Sequence, residues 1–217
     1  MYFLPYAQVL RAHLALQTLV LVIDGSGVGR GCVARMIHVV YKGRALPLAW
    51  RVRQGPKGHF PEALPIALVE LVNALIPEGT QVVLLGDGEF DGTDLQQTVE
   101  EAGWSYVCRT GTPMTAWWDG ETFRLDTLGA WSKPGTLIAL SEVVLSREEY
   151  GPIMLICCGA QRCKEPLYLV TNMDAAEVAC HLYAKRFRIE TFFSDQKSRG
   201  FPLHKSHLSE PQRLSCL

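Results

Sequence analysis

The sequence predicts a mixed α/β fold, and three observations carry the prediction. Two continuous apolar runs, Leu19–Ile23 and Val82–Leu85, each lead straight into an aspartate (Asp24 and Asp87), as buried strands do in a sheet covered on both faces. Between and after them, residues 61–76 and 93–102 place apolar side chains at helical spacing. Finally, the stretch from residue 19 to 53 reads as three strands joined by glycine-containing turns. Strands that alternate with helices make parallel crossovers, which lay the helices against the sheet.

Taken in order, Leu19–Asp24 is expected as a buried strand ending on a carboxylate, followed by a glycine-rich turn (Gly25, Gly27, Gly29). Gly31–Tyr41 is a long second strand, and Lys42-Gly43 is a hairpin turn into Ala45–Arg53, completing an antiparallel meander. After the Gly55-Pro56-Lys57-Gly58 loop comes a helix over Pro61–Ile76, carrying Leu64, Leu68, Leu71, Val72 and Leu75 and stopped by Pro77-Glu78-Gly79. Val82–Leu85 is a buried, parallel strand; Thr93–Ala102 is a helix ended by Gly103; Trp104–Arg109 is another strand. Residues 110–167 change character, with turn residues recurring between short runs such as Thr122–Leu125, Leu137–Leu145 and Ile153–Cys158, so a β-rich insertion is expected there. Tyr168–Thr171 is a short strand. Asp174 is placed as the cap of a helix continuing to about Arg199, where Gly200 and Pro202 stop it. Ser209 then caps a last helix with Pro211 in its first turn, cut short by the end of the sequence.

Length and composition bound the function. With 217 residues, 48% of them hydrophobic and 20% charged, the chain suits one substantial globular domain. Its apolar runs are too short to span a bilayer, and residues 11–23 lack a small-residue cleavage site, so neither a membrane span nor a signal peptide is expected. Seven cysteines without paired CxxC spacing fit a reducing cytoplasm, and Cys157, Cys158 and Cys163 read as small buried hydrophobes rather than a zinc site. The net charge is only −1, but basic residues cluster. Arg30, Arg35, Lys42, Arg44, Arg51, Arg53 and Lys57 lie between Gly25 and Pro61 with no acid among them. Seven more basic residues follow His181 against three acids, so two basic segments bracket an acidic remainder. That pattern suits two parts of a fold meeting a phosphate backbone.

The chemistry centres on Tyr183–Lys197, YAKRFRIETFFSDQK. At about 100° per residue, Tyr183, Arg186, Glu190 and Lys197 share an arc of roughly 60°, beside an apolar stripe of Leu182, Ile189 and Phe193. A carboxylate among a phenol, a guanidinium and an ammonium suits a metal ion and phosphates; the plain alternative for Glu190 is an ion pair with Arg186, four residues earlier. Asp24 and Asp87 stand at the carboxyl ends of apolar strands, where ligand sites of open α/β sheets form. If those strands are neighbours, Glu190 can complete a three-carboxylate cluster, and such hard oxygen donors suit Mg²⁺ or Mn²⁺. Glu89, Asp91 and Asp94 compete with Asp87, which is favoured because it leaves the apolar strand directly. GSGVGRG after Asp24 fits no phosphate-loop pattern and reads as a turn, and His204 and His207 lack further metal partners.

Asp24 in LVIDGS, Asp87 in VLLGDGEFDG and Tyr183-x2-Arg186-x3-Glu190-x6-Lys197 together resemble the DDE transposases of bacterial insertion sequences, and more narrowly the insertion-sequence-four-like group. The resemblance runs from about residue 19 onward. It implies an RNase H-like mixed sheet flanked by helices over 19–217, with the β-rich insertion (about 110–167) ahead of the helix that carries the third carboxylate, and residues 1–18 as an N-terminal remnant or linker. It further implies that Asp24, Asp87 and Glu190 hold two divalent ions, Mg²⁺ or Mn²⁺. The reaction implied is cleavage at transposon ends followed by joining of the freed 3′-hydroxyl to target DNA. Tyr183, Arg186 and Lys197 would hold DNA phosphates, the double-stranded DNA being bound by a homodimer in the bacterial cytoplasm. A tryptophan of the insertion (Trp117, Trp118 or Trp131) would stack on a flipped base, with core or rim packing as the alternative for each. Two departures stand out: Gly88 replaces the arginine that commonly follows the second aspartate, and only 23 residues precede Asp24. With the clipped last helix, these lead to the expectation of a fragment, a degraded copy or one piece of a split reading frame. A catalytically silent DNA-binding remnant and an RNase H-like nuclease outside transposition are the alternative functions.

Overall fold

A computed structural model describes residues 18–55, 61–145, 149–159, 165–198 and 205–216, the side chains of 196 and 198 apart. The three-strand meander forms as the sequence predicts: β1 (Leu19–Val28), β2 (Cys32–Tyr41) and β3 (Arg44–Gln54) pair antiparallel in order. Lys42 and Gly43 turn the second hairpin at φ 46° and 77°, the backbone hand that matches strand twist. Gly25 and Gly27, expected in the first turn, instead continue β1, and the chain reverses at Gly29–Gly31. The ladder to β2 explains the difference, because it pairs every residue from Leu21 to Val28 and keeps the glycines extended. The Pro56–Gly58 part of the next loop lies outside the described residues.

Helix α1 (Ala63–Asn73) then crosses over to β4 (Val82–Gly86), and α2 (Thr93–Glu101) crosses over to β5 (Ser105–Arg109). Both crossovers produce parallel pairs, β1 with β4 and β4 with β5. The inserted region supplies β6 (Thr115–Trp118), β7 (Glu121–Arg124), α3 (Leu125–Trp131), β8 (Leu137–Leu145) and β9 (Tyr150–Cys158) before β10 (Leu167–Thr171). These strands do not form a separate layer. They prolong one ten-stranded sheet, ordered β3-β2-β1-β4-β5-β10-β9-β8-β6-β7. β10 lies antiparallel between β5 and β9, so neither β5 nor β10 is left as a bare edge. Helix α3, unexpected from sequence, buries Leu125 and Leu128 and leaves Trp131 exposed.

After β10 come α4 (Ala176–Tyr183), a 3₁₀ segment (Ala184–Phe187) and α5 (Arg188–Ser198), where one continuous helix was expected. α4 starts after Ala175 with no side-chain cap, so Asp174 does not serve as one. The expected stop at Arg199–Pro202 lies outside the described residues. A short α6 (Pro211–Leu214) begins with Pro211, with Glu210 rather than Ser209 in the capping position.

The sheet divides two cores. Leu19, Leu21 and Ile23 of β1 face α1 and α2 through Leu68, Val72, Leu95 and Val99. Val20 and Val22, with Val83, Leu85 and Val107, face α4 and α5 through Ala179, Leu182, Ile189 and Phe193. Strand alternation enforces the split. Within the second core His38 is fully buried, its ring 4.6 Å from Phe192 and 5.9 Å from Phe193. Neither ring nitrogen has a hydrogen-bond partner among the described residues, and burial lowers its pKa from 6.5 to about 3.

Two predictions follow from this packing. Since the unfolded chain binds one more proton than the fold between pH 6.5 and 3, stability falls by up to about 1.4 kcal/mol per pH unit as pH drops through that window. His38→Leu is therefore expected to raise the melting temperature, more at pH 5.5 than at pH 7.5; an equal gain at both would mean that His38 is already charged in the fold. The second concerns Gly29, which has φ 54° and sits where a Cβ would strike the Leu208 carbonyl. Arg30 N–H donates to that same carbonyl at 2.8 Å. Gly29→Ala should cost at least about 1–2 kcal/mol from its left-handed backbone, and hydrogen exchange should show the Arg30 amide deprotected.

Candidate functional site

The site is built at one end of the sheet by register. β1 and β4 pair in parallel up to Val22 with Leu85, and two residues further on each strand stand Asp24 and Asp87. β4 and β5 pair up to Gly86 with Cys108, so the next position sets Asp87 level with Arg109. Neighbouring strands are about 4.8 Å apart. Asp24 follows Val22, and Asp87 follows Leu85, on the face covered by α4 and α5. Both carboxylates therefore rise toward the segment that carries Tyr183, Arg186 and Glu190.

That segment meets Asp24 directly. Arg186 places Nη1 3.4 Å from Asp24 Oδ2 and Nη2 3.4 Å from Glu190 Oε1. One guanidinium thus joins two carboxylates separated by 166 positions in the chain. The i,i+4 pair weighed for Glu190 does form, but it is half of a bridge. Asp24 is only 6% exposed, so its charge depends on partners: Arg186 and the Gly25 N–H, which donates to Oδ1 at 2.6 Å. The 3₁₀ turn gives Arg186 this reach by tightening the backbone just before α5, and it leaves the side chain buried. Glu190 is more open, with its side chain 57% exposed.

Tyr183 is buried against Val83, Leu85 and Val107. Burial pushes its phenol up to about 12, with Asp87 adding to the rise and Arg186 and Arg109 opposing it. The phenol therefore stays protonated, a hydrogen-bond donor in the field of Asp87 and Arg109. Lys197 lies exposed in the last turn of α5, away from this bridge. Phe187, 54% exposed, stands 5.3 Å from the Arg186 guanidinium carbon.

The competing carboxylates are otherwise engaged. Glu89 pairs with Arg35 on the opposite face of the sheet. Asp91 accepts the Thr110 hydroxyl at 2.9 Å, and burial raises its pKa. Asp94 is exposed in the first turn of α2. Among the described residues, no three of His, Cys, Asp and Glu converge as a ready-made metal cage. The three tryptophans of the inserted region are exposed, Trp131 most at 75%, and Trp118 donates to the Ser141 carbonyl at 2.9 Å. Cys157 is buried, Cys158 lies 3.4 Å from Cys180, and Cys163 falls outside the described residues, as does His204. Two further residues belong to this sheet end: Arg109, whose place follows from counting along Trp104–Arg109 as a parallel strand, and Arg35, which the sequence marks only as one member of a basic segment.

The comparisons with known proteins agree with this architecture. A family model described as a transposase DDE domain matches residues 16–217. None of the curated proteins compared with the chain matches it in sequence. Among solved structures, a piggyBac transposase in a synaptic complex with hairpin DNA superposes with a TM-score of 0.56 at 13% identity, over 90% of this chain and 44% of that one. This chain therefore spans under half the length of that transposase. The catalytic domain of human endonuclease V aligns over 93% of this chain and 98% of its own at 13% identity, with a TM-score of 0.41 too low to bear on the fold. The mixed sheet flanked by helices is the fold class expected from sequence, and the chain belongs to the transposase DDE-domain family.

Proposed function

We propose that this chain is the catalytic domain of a DNA transposase of the insertion-sequence-four-like group, with Asp24, Asp87 and Glu190 as its metal-binding carboxylates. The observation that carries the proposal is the Arg186 bridge between Asp24 and Glu190, made at the sheet end where register sets Asp87 beside Asp24. Asp24 and Glu190 share one guanidinium, which offsets the repulsion between them, and Asp24, Asp87 and Glu190 are all hard oxygen donors of the kind Mg²⁺ and Mn²⁺ prefer. The residues therefore fit two such ions, which would supply an activated attacking oxygen and a stabilised leaving oxygen in phosphodiester displacement.

The chain's own side chains would do the rest. Arg109, exposed at the strand end, would offer a planar fork suited to bidentate contact with a phosphate, while Arg186, buried between Asp24 and Glu190, would lend it positive charge. Tyr183, neutral at any physiological pH, would donate one directed hydrogen bond to a phosphate oxygen. Lys197, further along α5, would hold the DNA backbone by charge alone. Pairing of two protomers on DNA and joining of the 3′-hydroxyl to target DNA belong to the same proposal.

The test is cleavage of a matching transposon-end DNA with Mg²⁺ or Mn²⁺. Asp24→Ala and Glu190→Ala are each expected to abolish cleavage while leaving salt-sensitive DNA binding in place. A longer protein containing this domain that binds such ends but never cuts them would sink the catalytic reading in favour of a silent DNA-binding remnant. Cutting without any strand transfer would point to a nuclease instead. A separate expectation divides the basic residues. Lys197→Ala should weaken DNA binding for all sequences and lower the salt slope by about 1, without shifting the melting temperature. Arg186→Ala should lower both, because it strands the buried Asp24 charge.

A further inference from the structure

Beneath the carboxylates, on the α1 and α2 face of the sheet, Arg35 of β2 has a side chain only 3% exposed. Its cross-strand partner is Gly25, the residue after Asp24. A Cβ at Gly25 would lie 2.6 Å from Arg35 Nη1 and 3.0 Å from its Cδ, so the side chain runs across β1 through room that only glycine leaves. Beyond β1 the guanidinium carbon passes 5.0 Å from the centre of the Phe90 ring, and Nη1 pairs with the Glu89 carboxylate. Both partners belong to the turn that follows Asp87. The Glu89 N–H donates to Asp87 Oδ1 at 3.0 Å, and the Phe90 N–H donates to the Asp87 carbonyl at 2.9 Å. Phe90 is in turn wedged against Gly86, where a Cβ would lie 2.8 Å from the Phe90 Cβ.

We propose that Arg35 is the positioning residue for Asp87: reaching under β1 where Gly25 leaves room, it clamps Glu89 and Phe90 and so fixes the turn that aims the Asp87 carboxylate. The role of Arg35 in holding the turn stands on the contacts themselves, while its consequence for catalysis rests on the metal-site reading above. The geometry also explains why an arginine is needed. A planar fork can pair with Glu89 while its flat face lies near Phe90, and lysine offers only a point charge. The Arg35 side chain is buried while that of Glu89 is 28% exposed, so truncating Arg35 would disturb packing as well as charge; the informative variants are Arg35→Lys, which keeps the charge, and Glu89→Gln, which keeps the shape.

The experiment is hydrogen exchange on the whole chain, read peptide by peptide, together with Mn²⁺ binding followed by electron paramagnetic resonance. For Arg35→Lys and for Glu89→Gln, exchange over residues 86–92 should speed up by about tenfold, the equivalent of one net hydrogen bond. Peptides from β1, β2 and β5 should keep their wild-type rates. Mn²⁺ half-saturation should rise by about the same factor, and the double variant should resemble either single one. Exchange over 86–92 unchanged in Arg35→Lys would overturn the proposal, as would acceleration spread evenly over the sheet, which marks a general packing role. If wild-type protein binds no Mn²⁺, the metal reading fails by itself, and the exchange result still decides what Arg35 does.

Discussion

The parallel pairing of β1 with β4 is the constraint on which the rest of this structure depends. The chain reaches β4 from β3 through α1, a helical crossover long enough to bring it back beside β1. The pairing brings together residues 63 positions apart in the chain, such as Val22 and Leu85. Once these strands are in register, the backbone at Asp24 and Asp87 arrives level and with both side chains directed to one face. A slip of one residue would send Asp87 to the opposite face, among Phe90, Leu95 and Val99. The apolar residues that fix the register are therefore what place the carboxylates, and the packing and the chemistry cannot be altered independently.

Register alone would leave two like charges side by side at a partly buried sheet end. The 3₁₀ turn between α4 and α5 answers this by delivering Arg186 between Asp24 and Glu190. One arm of the Arg186 guanidinium makes an ordinary i,i+4 pair with Glu190, and the other spans from the helix to the sheet. Ile189 and Phe193 anchor α5 in the second core, so the bridge is held by burial on one side and by charge on the other. His38, neutral beneath the two phenylalanines, adds no competing positive charge there at neutral pH.

Much of this was legible in the sequence because it is encoded in short-range pattern. Continuous apolar runs ending in aspartate identified β1 and β4, since a strand covered on both faces must be apolar throughout. The pairing of Arg186 with Glu190 survived even though the helix is interrupted, because the two residues remain four apart and in contact across the junction. What was not legible depends on pairing between distant segments. Gly25 and Gly27 read as a turn because their need for extended backbone comes from the β2 ladder and from the Arg35 side chain lying across Gly25. The inserted strands read as a β-rich insertion, but nothing local says that β9 will join β10 and lengthen the core sheet. Arg109 escaped notice for the same reason, being one charged residue at a strand end until β4 and β5 are aligned.

The arginines at this sheet end show why composition misleads about their purpose. Arg35 and Arg186 lie in the two basic segments that suggested phosphate binding, yet both are buried and matched to carboxylates of the fold. Arg35 works from below through Glu89, and Arg186 works from above through Asp24 and Glu190. The two guanidinium groups thus lie on opposite faces of one sheet, Arg186 in contact with Asp24 and Arg35 with the turn that follows Asp87. Such an arrangement costs desolvation that apolar packing would avoid, so stability alone does not account for it. It makes sense where carboxylates must be held in place while carrying charge, which is what the proposed metal- and phosphate-binding role would require.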